Sequence, residues 1–279
     1  METEFLTLLL SAGTSIGVTW FANKAGPLET LNSLWYLGFG YFDEKVKDKK
    51  HEAQIKREQT YLDDTIKKTA ENIANIPEEH IQEPRENIAK PAIDALRIYA
   101  SEEHLRTIFS KILASSMDSR LNGHMHPAFV EIVKQLSPLD AENLLIIYNQ
   151  DGIVPIVNVH QTIKNLINGN DFHFQVYFEN LFILNPNEKN YQLHAASLEN
   201  ISRLGLINLN YSAPSPRNIY DDFKKTSIYL EAEIDNSLKN KKNPKPTLNG
   251  DPVNFTGVKL QPGSIDITSL GSNLCSICL

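Results

Sequence analysis

The stretch AASLENISRLGLINL, residues 195–209, is the most informative part of the sequence for the fold. Leu198, Ile201 and Leu204 recur at helical spacing. Gly205 follows them, and glycine is typical of the residue just past the end of a helix. The apolar run at residues 206–209 is typical of a strand. The stretch therefore predicts a helix, a tight stop and a strand that follows at once.

A pair of strands is predicted further along the chain. Residues 253–260 and 264–267 form two strand-like runs around Pro262 and Gly263, which together indicate a hairpin turn. Thr268 is then placed to cap a last helix. Helix, strand, hairpin and helix in this order are typical of a winged-helix module.

The predicted winged-helix-like domain, residues 151–279, contains two less regular regions. Residues 152–182 are rich in Val, Ile and Phe, and they are compatible with a strand or with short helices. A polar insertion at residues 212–250 predicts a helix over 220–238. The insertion also carries a basic tip at Lys239, Lys241, Lys242 and Lys245.

Three amphipathic helices are predicted upstream of this domain. Ser101 is placed to cap the first, Pro127 suits the first turn of the second, and Ser137 with Pro138 begins the third. The apolar faces are Leu105, Ile108, Phe109, Ile112 and Leu113; Phe129, Ile132, Val133 and Leu136; and Ala141, Leu144, Leu145 and Tyr148.

The N-terminal part contains an apolar segment and a charged one. Residues 5–22 and 31–42 form a membrane hairpin or two helices that pack on a partner or on the rest of the chain, and the second reading is preferred. Residues 43–76 predict a long, exposed, charged helix that is suited to oligomerisation. Pro77, Pro84 and Pro91 then indicate a linker of short turns or helix starts.

The predicted fold class is therefore mainly α, with a helical N-terminal and central region and a C-terminal winged-helix-like α+β module. The predicted segments are an apolar N-terminal segment (1–42), a long charged helix (43–76), a central helical domain (77–150) and the winged-helix-like domain (151–279).

Composition limits the partners and the compartment. The formal net charge is -7 and there are two cysteines, Cys275 and Cys278. A negative net charge disfavours nucleic acid, because phosphate backbones repel it. The close pair of cysteines indicates a reduced compartment and two small apolar residues on a terminal helix. We expect a cytoplasmic protein, with peripheral association with the inner membrane as the alternative.

Sequence motifs for catalysis are missing. There is no phosphate-binding loop and no nucleophile elbow. His124 and His126 would need further ligands to hold a metal, and His126 is explained by the helix start at Pro127. Glu78, Glu79 and Glu83 are interpreted as a solvated surface, and His160, His173 and His194 as packing residues. We predict no enzyme activity and no catalytic, cofactor or metal site.

The helix before the predicted wing is the best candidate for a binding surface. Its polar residues include one base and one acid, so it would attract phosphate poorly. We therefore predict that it contacts a protein partner, through Ser197, Glu199, Asn200 and Arg203. The lysine tip of the insertion is a solvated loop or a contact to phosphate.

Several stretches resemble the Abi-alpha (abortive infection alpha) family: IPEEHIQEPRENIAKPAIDALRIYASEEHLRTIFSKILASSM at 76–117, HPAFVEIVKQLSPLDAENLL at 126–145, LENISRLGLI at 198–207 and IDITSLGSNLCSIC at 265–278. The resemblance implies a bacterial or phage-borne protein of abortive infection, in which an infected cell halts before phage spreads. It implies no catalytic residues. Of the matching positions, His126 and Asp140 have side chains suited to more than packing.

Three functional hypotheses follow. The first is a non-enzymatic defence protein that binds a protein partner and forms a homo-oligomer. The second is an effector that acts on the membrane through residues 5–42. The third is a DNA-binding regulator that uses the winged helix.

Overall fold

A computed structural model describes residues 49–212, 217–242 and 244–279, together with residues 30, 33 and 34. These residues form two compact units. The first contains the described residues up to Leu136 together with Asn273–Leu279, and the second is Ser137–Ser272. The predicted membrane hairpin or helix pair at residues 5–42 lies outside the described residues, apart from the three isolated positions.

The fold is α+β, so the prediction of a mainly α protein is wrong. The helices and strands, numbered in chain order, are α1 (Lys49–Ala74), α2 (Glu86–Tyr99), α3 (Glu103–Ser115), α4 (Ala128–Val133), α5 (Pro138–Asn149), β1 (Val154–Asn165), β2 (Asp171–Leu181), α6 (Tyr191–Arg203), β3 (Ile207–Asn210), α7 (Ser227–Asn240), β4 (Thr247–Leu248), β5 (Asp251–Ile267) and α8 (Ser269–Cys278). Among the described residues, 3-10 helices lie at Glu78–His80, Ser119–Leu121 and Arg217–Lys225.

The first unit is a helical array in which α1 and α2 both pack on α3. The predicted charged helix is present as α1, but the end of α1 is partly buried. Ile66 and Ile73 are in the core, and so are the nearby Thr65 and Thr69. The two threonine hydroxyls donate to backbone oxygens one turn earlier, at 2.8 Å each. Because these hydroxyls are satisfied within the helix, burying them beside the isoleucines carries little penalty.

The predicted linker is shorter than expected, because α2 begins at Glu86 and runs through Pro91. A proline in a helix interior removes one backbone hydrogen bond and disfavours the helix. In α2 this loss is offset by an apolar face on both sides of the proline. Ile88, Ala92 and Leu96 are completely buried.

The second unit is built on an antiparallel sheet with the strand order β2-β1-β5-β3, and β4 pairs with β5. The ambiguous region 152–182 is therefore a hairpin of two strands, β1 and β2. One face of the sheet packs on α7 and on the 3-10 helix Arg217–Lys225. The core on this face contains Val157, Val159, Leu181, Tyr220, Phe223, Ile228 and Ala232.

The predicted hairpin around Pro262 and Gly263 is wrong, because β5 is one continuous strand through both residues. Gly263 does not bend the chain. It makes room for its neighbours, since a Cβ there would lie 2.6 Å from the ring of Tyr211 and 2.8 Å from the carbonyl oxygen of Asn210. Pro262 is tolerated because pairing with β3 ends at Ser264. Without the hairpin around Pro262 and Gly263, the winged-helix prediction has no support. The hypothesis of a DNA-binding regulator that uses a winged helix is therefore dropped.

The polar insertion contains more regular structure than predicted. The expected helix over 220–238 is divided at Thr226, between the 3-10 helix and α7. The Thr226 hydroxyl accepts a hydrogen bond from the Tyr229 backbone and caps α7. In the part of the chain described, no helix combines the length and the apolar character needed to cross a membrane.

The end of α6 was predicted from Gly205 and the start of α8 from Thr268, and both predictions are confirmed. Gly205 has φ +74° and follows α6, and the amide of Leu206 donates to the carbonyl of Ile201 at 3.1 Å. This pattern is a Schellman motif, in which glycine takes the left-handed conformation at no steric cost. Thr268 accepts a hydrogen bond from the amide of Gly271 at 3.0 Å, so it caps α8 as expected.

The two predicted serine caps differ. Ser137 and Asp140 form a reciprocal capping box at the start of α5, with bonds of 2.8 and 3.1 Å. The residue before α3, in contrast, is Glu102, which makes no side-chain capping bond, so Ser101 is not the cap.

We expect Ser137→Ala to lower the free energy of unfolding by about 1 kcal/mol. Ser101→Ala should change it by less than about 0.5 kcal/mol. Urea unfolding of both variants measures the difference, and equal losses would contradict the assignment of the cap.

Candidate functional site

The outward side of α6 is the candidate functional site. Gln192, Leu193, Ala196, Glu199 and Arg203 are exposed, and Asn200 is half-buried beside them. These six residues recur at helical spacing and share one side of the helix, and we call them the α6 surface. Leu193 is 47% exposed, which gives the α6 surface an apolar side chain among polar neighbours.

Buried hydrogen bonds hold the inward side of α6 against α5. The Asn143 amide donates to the hydroxyl of Ser197 at 2.9 Å, and the Asn185 amide donates to Asn143 at the same distance. The Asn200 amide donates to Asp140, whose carboxylate also accepts from the backbone of Ser137. Since all these groups lie within one unit and are paired, α6 is a fixed element that keeps its outward side in one orientation.

The structure brings together three of the four predicted partner-binding residues. Glu199, Asn200 and Arg203 belong to the α6 surface, and Arg203 donates two hydrogen bonds to the side chain of Asn200, at 2.7 and 3.2 Å. Ser197 is 5% exposed and faces α5, so it supports the helix from behind. Glu199 also accepts a hydrogen bond from Asn180 at 3.3 Å, which joins α6 to β2.

A polar network on the sheet continues from the α6 surface, and sequence reasoning missed it. The side chain of Asn180 accepts a hydrogen bond from Tyr211 at 2.6 Å, and the backbone amide of Asn180 donates to Asn158 at 2.9 Å. The amide of Asn158 donates to Gln261 at 3.2 Å, and Gln261 lies 3.0 Å from a ring nitrogen of His160. The alternation of polar residues in β1 was the one available signal, because residues 158 and 160 share a face of the strand.

Two features set this network apart from an ordinary polar surface. Asn180 has φ 56° and is 8% exposed, so a non-glycine residue is held in the left-handed region by its hydrogen bonds. Burial raises the pKa of Tyr211, which keeps its hydroxyl protonated and available as a donor to Asn180. The network therefore fixes the backbone of β2 next to Glu199.

The predicted basic tip is divided between two environments. Lys239 lies 2.6 Å from Asp235, donates to Gln161 at 2.9 Å and sits over the ring of Phe255. Burial alone would raise the pKa of Asp235, but hydrogen bonds from Lys239 and Gln161 outweigh it and the pKa is lowered. Lys239 thus belongs to the packing of α7 on the sheet.

The other three lysines of the tip are exposed. Lys241 and Lys242 follow the end of α7, and Lys245 donates to the side chain of Asn254 at 2.8 Å. The structure therefore does not gather the four lysines into one basic cluster.

His126 lies at a helix start, and the three glutamates that were considered as an acid–base group lie in solvent. His126 accepts a hydrogen bond from the backbone of Ala128 at 3.1 Å, at the start of α4. Among the described residues no group of three or more His, Cys, Asp or Glu side chains could hold a metal ion. Glu78, Glu79 and Glu83 are exposed, as predicted for a solvated surface.

The two cysteines are buried in α8 and carry free thiols. Burial raises the pKa of Cys275 to about 12 and also raises the pKa of Cys278. Both thiols therefore stay protonated near neutral pH, and they behave as small apolar residues, as predicted.

A cavity of about 370 Å³ in the first unit is lined by polar and apolar residues. Its charged groups are already paired. Arg120 binds the carboxylate of Asp118 through two nitrogens, and these bonds hold the pKa of Asp118 below its usual value against the effect of burial. Lys111 donates to the carbonyl oxygen of Leu279 at 2.7 Å. Lys111, Arg120 and Asp118 are therefore already engaged by groups of the same unit.

Fold and site together define an α+β protein whose candidate site is the exposed side of one helix, α6. The family model for abortive infection alpha matches residues 57–278, which is most of the chain, and the protein belongs to this family. No curated protein and no solved structure matches the chain. Membership of the family associates the protein with defence of the abortive-infection type.

Proposed function

We infer that the protein acts in abortive infection by binding a protein partner through the α6 surface, without carrying out a reaction. The observation that carries this proposal is the geometry of α6. Its inward side is fastened by the buried hydrogen bond between Asn143 and Ser197, and Asn200 is held by Asp140. The outward side of α6 exposes Leu193 between charged and polar side chains. A surface that is already ordered before binding loses little conformational entropy on association.

The chemistry of the α6 surface fits a protein better than a nucleic acid. A protein interface usually combines an apolar centre with a polar rim, and Leu193 with Ala196 provides such a centre beside Glu199 and Arg203. Binding to a duplex would need several cations to neutralise phosphates. Because the α6 surface carries one acid, Glu199, and one base, Arg203, it favours a partner with both signs of charge. The exposed Leu193 favours a partner that also has a small apolar pocket.

The experiment compares phage plating on cells that express the wild-type protein or the double variant Leu193→Glu/Arg203→Glu. The wild type should lower plating of at least one phage in a broad panel. The double variant should lose most of this protection, because it places carboxylates in the centre and at the rim of the interface. Its thermal unfolding should stay close to that of wild type, since both side chains are exposed.

A matched control is Lys90→Glu/Ile98→Glu on α2, which makes the same chemical changes on another exposed helix face. This control should protect as well as wild type does. Full protection by the α6 variant, or equal loss in the control, would overturn the proposed role of the α6 surface. Unchanged plating with the wild type across the panel would overturn the defence function itself.

A further inference from the structure

The outer side of α7 carries an apolar stripe that stays exposed among the described residues. Leu230, Ile234 and Leu238 are 48%, 60% and 56% exposed, and their spacing of four places them on one side of the helix. The opposite side of α7 buries Ile228 and Ala232 against the sheet. The helix thus has two apolar sides, and only one of them is covered. We call the three exposed residues the α7 stripe.

The exposed charges on α7 are separated along its length. Glu231 and Glu233 lie in the first half, and Lys241 and Lys242 follow the last turn. Acids near the start and bases near the end also agree with the dipole of the helix. All four residues are exposed, so their charges are available to a molecule that covers the α7 stripe.

This charge order is complementary to itself when the helix direction is reversed. Two copies of α7 that lie side by side in opposite directions bring the acidic half of each next to the basic end of the other. The same arrangement places stripe on stripe, with Ile234 of each copy opposite Leu238 of the other. A parallel pair would instead place acid beside acid and base beside base, which is unfavourable.

A membrane surface fits the same face less well. Helices that lie in a membrane interface carry mainly Lys and Arg on the polar face, which anionic headgroups attract. In α7 the carboxylates of Glu231 and Glu233 border the stripe, and such headgroups would repel them. The charges therefore favour a protein surface, and the reversed copy of α7 is the protein surface that matches them.

We propose that α7 is the two-fold interface of a homodimer, in which the α7 stripes of two copies pack antiparallel. A two-fold interface uses one patch on both subunits, so the patch must be complementary to itself, and α7 meets this condition in its apolar stripe and in the order of its charges. Three partly exposed side chains make a small interface, so the dimer is weak, with a Kd of about 10 μM or above. This surface is separate from the α6 surface and does not depend on the proposed function.

The first measurement is sedimentation velocity of the full chain from about 1 to 200 μM, the range in which such a dimer would form. Wild type should shift from monomer to dimer. Ile234→Lys should raise the Kd at least about tenfold, because it buries a charge in the middle of the interface. The control is Ile98→Lys, on α2, where the isoleucine is 73% exposed, and it should dimerise as wild type does.

Charge reversal then tests the antiparallel direction. Glu231→Lys/Glu233→Lys should weaken the dimer about three- to tenfold at low salt, and so should Lys241→Glu/Lys242→Glu. The variant with all four changes should recover the wild-type Kd, because the complementarity is restored with opposite sign. Unchanged Kd values in both double variants would indicate that the acidic half and the basic end do not meet, as in a parallel pair, and would overturn the proposal. A monomer at every concentration, or a dimer that Ile234→Lys leaves intact, would overturn it as well.

Discussion

Gly271→Ala is expected to lower the free energy of unfolding of the second unit by about 3 kcal/mol, at the upper end of what overpacking costs. A Cβ at this position would lie 2.1 Å from the carbonyl oxygen of Leu206. That oxygen has little freedom to move, since it accepts hydrogen bonds from the amide and the hydroxyl of Thr268, at 3.0 and 3.1 Å. The start of α8 would have to leave β3, and the cap at Thr268 would be lost with it.

Helix propensity predicts the opposite sign for Gly271→Ala. Alanine is more favourable than glycine inside a helix by about 1 kcal/mol. The steric effect is larger, because the conflicting atom belongs to the backbone and not to a flexible side chain. Gly123→Ala is the matched control, since a Cβ there meets nothing within 4 Å. Urea unfolding followed by circular dichroism measures both variants, and a Gly271→Ala protein as stable as wild type would mean that α8 does not begin against Leu206.

Phe109→Ala is expected to destabilise the first unit by about 3–5 kcal/mol. Phe109 lies in the middle of α3 and is completely buried, so alanine would remove a ring from the core and leave a cavity. The loss is comparable with the whole stability of many domains. We therefore expect the variant to be largely unfolded at moderate temperature.

The control for Phe109→Ala is Ile98→Ala, which also removes apolar atoms from a helix. Ile98 is 73% exposed, so the change should stay within about 0.5 kcal/mol. Thermal unfolding of both variants gives the comparison. Similar losses in the two would contradict the placement of α3 in the core.

Local chemistry was sufficient to predict several elements of the fold. The stop after α6 follows from glycine in the left-handed conformation at Gly205, and the cap of α5 follows from the serine and the carboxylate three residues later. These features depend on neighbours within one turn of the chain. Ser101 failed as a cap because the choice of the first helical residue depends on how α3 packs, and the serine is one position too early.

The sheet could not be predicted in the same way, because its constraints come from residues far apart in the chain. Pro262 with Gly263 indicates a turn locally, but Val157 pairs with Pro262 and the ring of Tyr211 lies against Gly263. The polar network likewise needs β1, β2 and β5 to be side by side. Asn158 and Gln261 are 103 residues apart in sequence.

The candidate site was predicted in part, because a helix has a definite period. The spacing of Glu199, Asn200 and Arg203 already places them on one side. The prediction placed Ser197 on the binding side of the helix, although Ser197 lies one turn from the buried residues His194 and Ile201. The α7 stripe could not be predicted from the sequence, because either apolar side of α7 could have been the one that faces the sheet.

The division of the chain into units has a consequence for the order in which the protein can be made. Asn273–Leu279 belong to the same unit as the helices before Leu136, and within that unit Lys111 reaches Leu279 across 168 residues. A ribosome must therefore synthesise the entire sheet-containing unit before the earlier helices receive their last partner. Leu274 and Cys278, both buried, arrive only then. Contacts of such long sequence separation form slowly, so the helical unit is completed only after the sheet-containing unit has been synthesised.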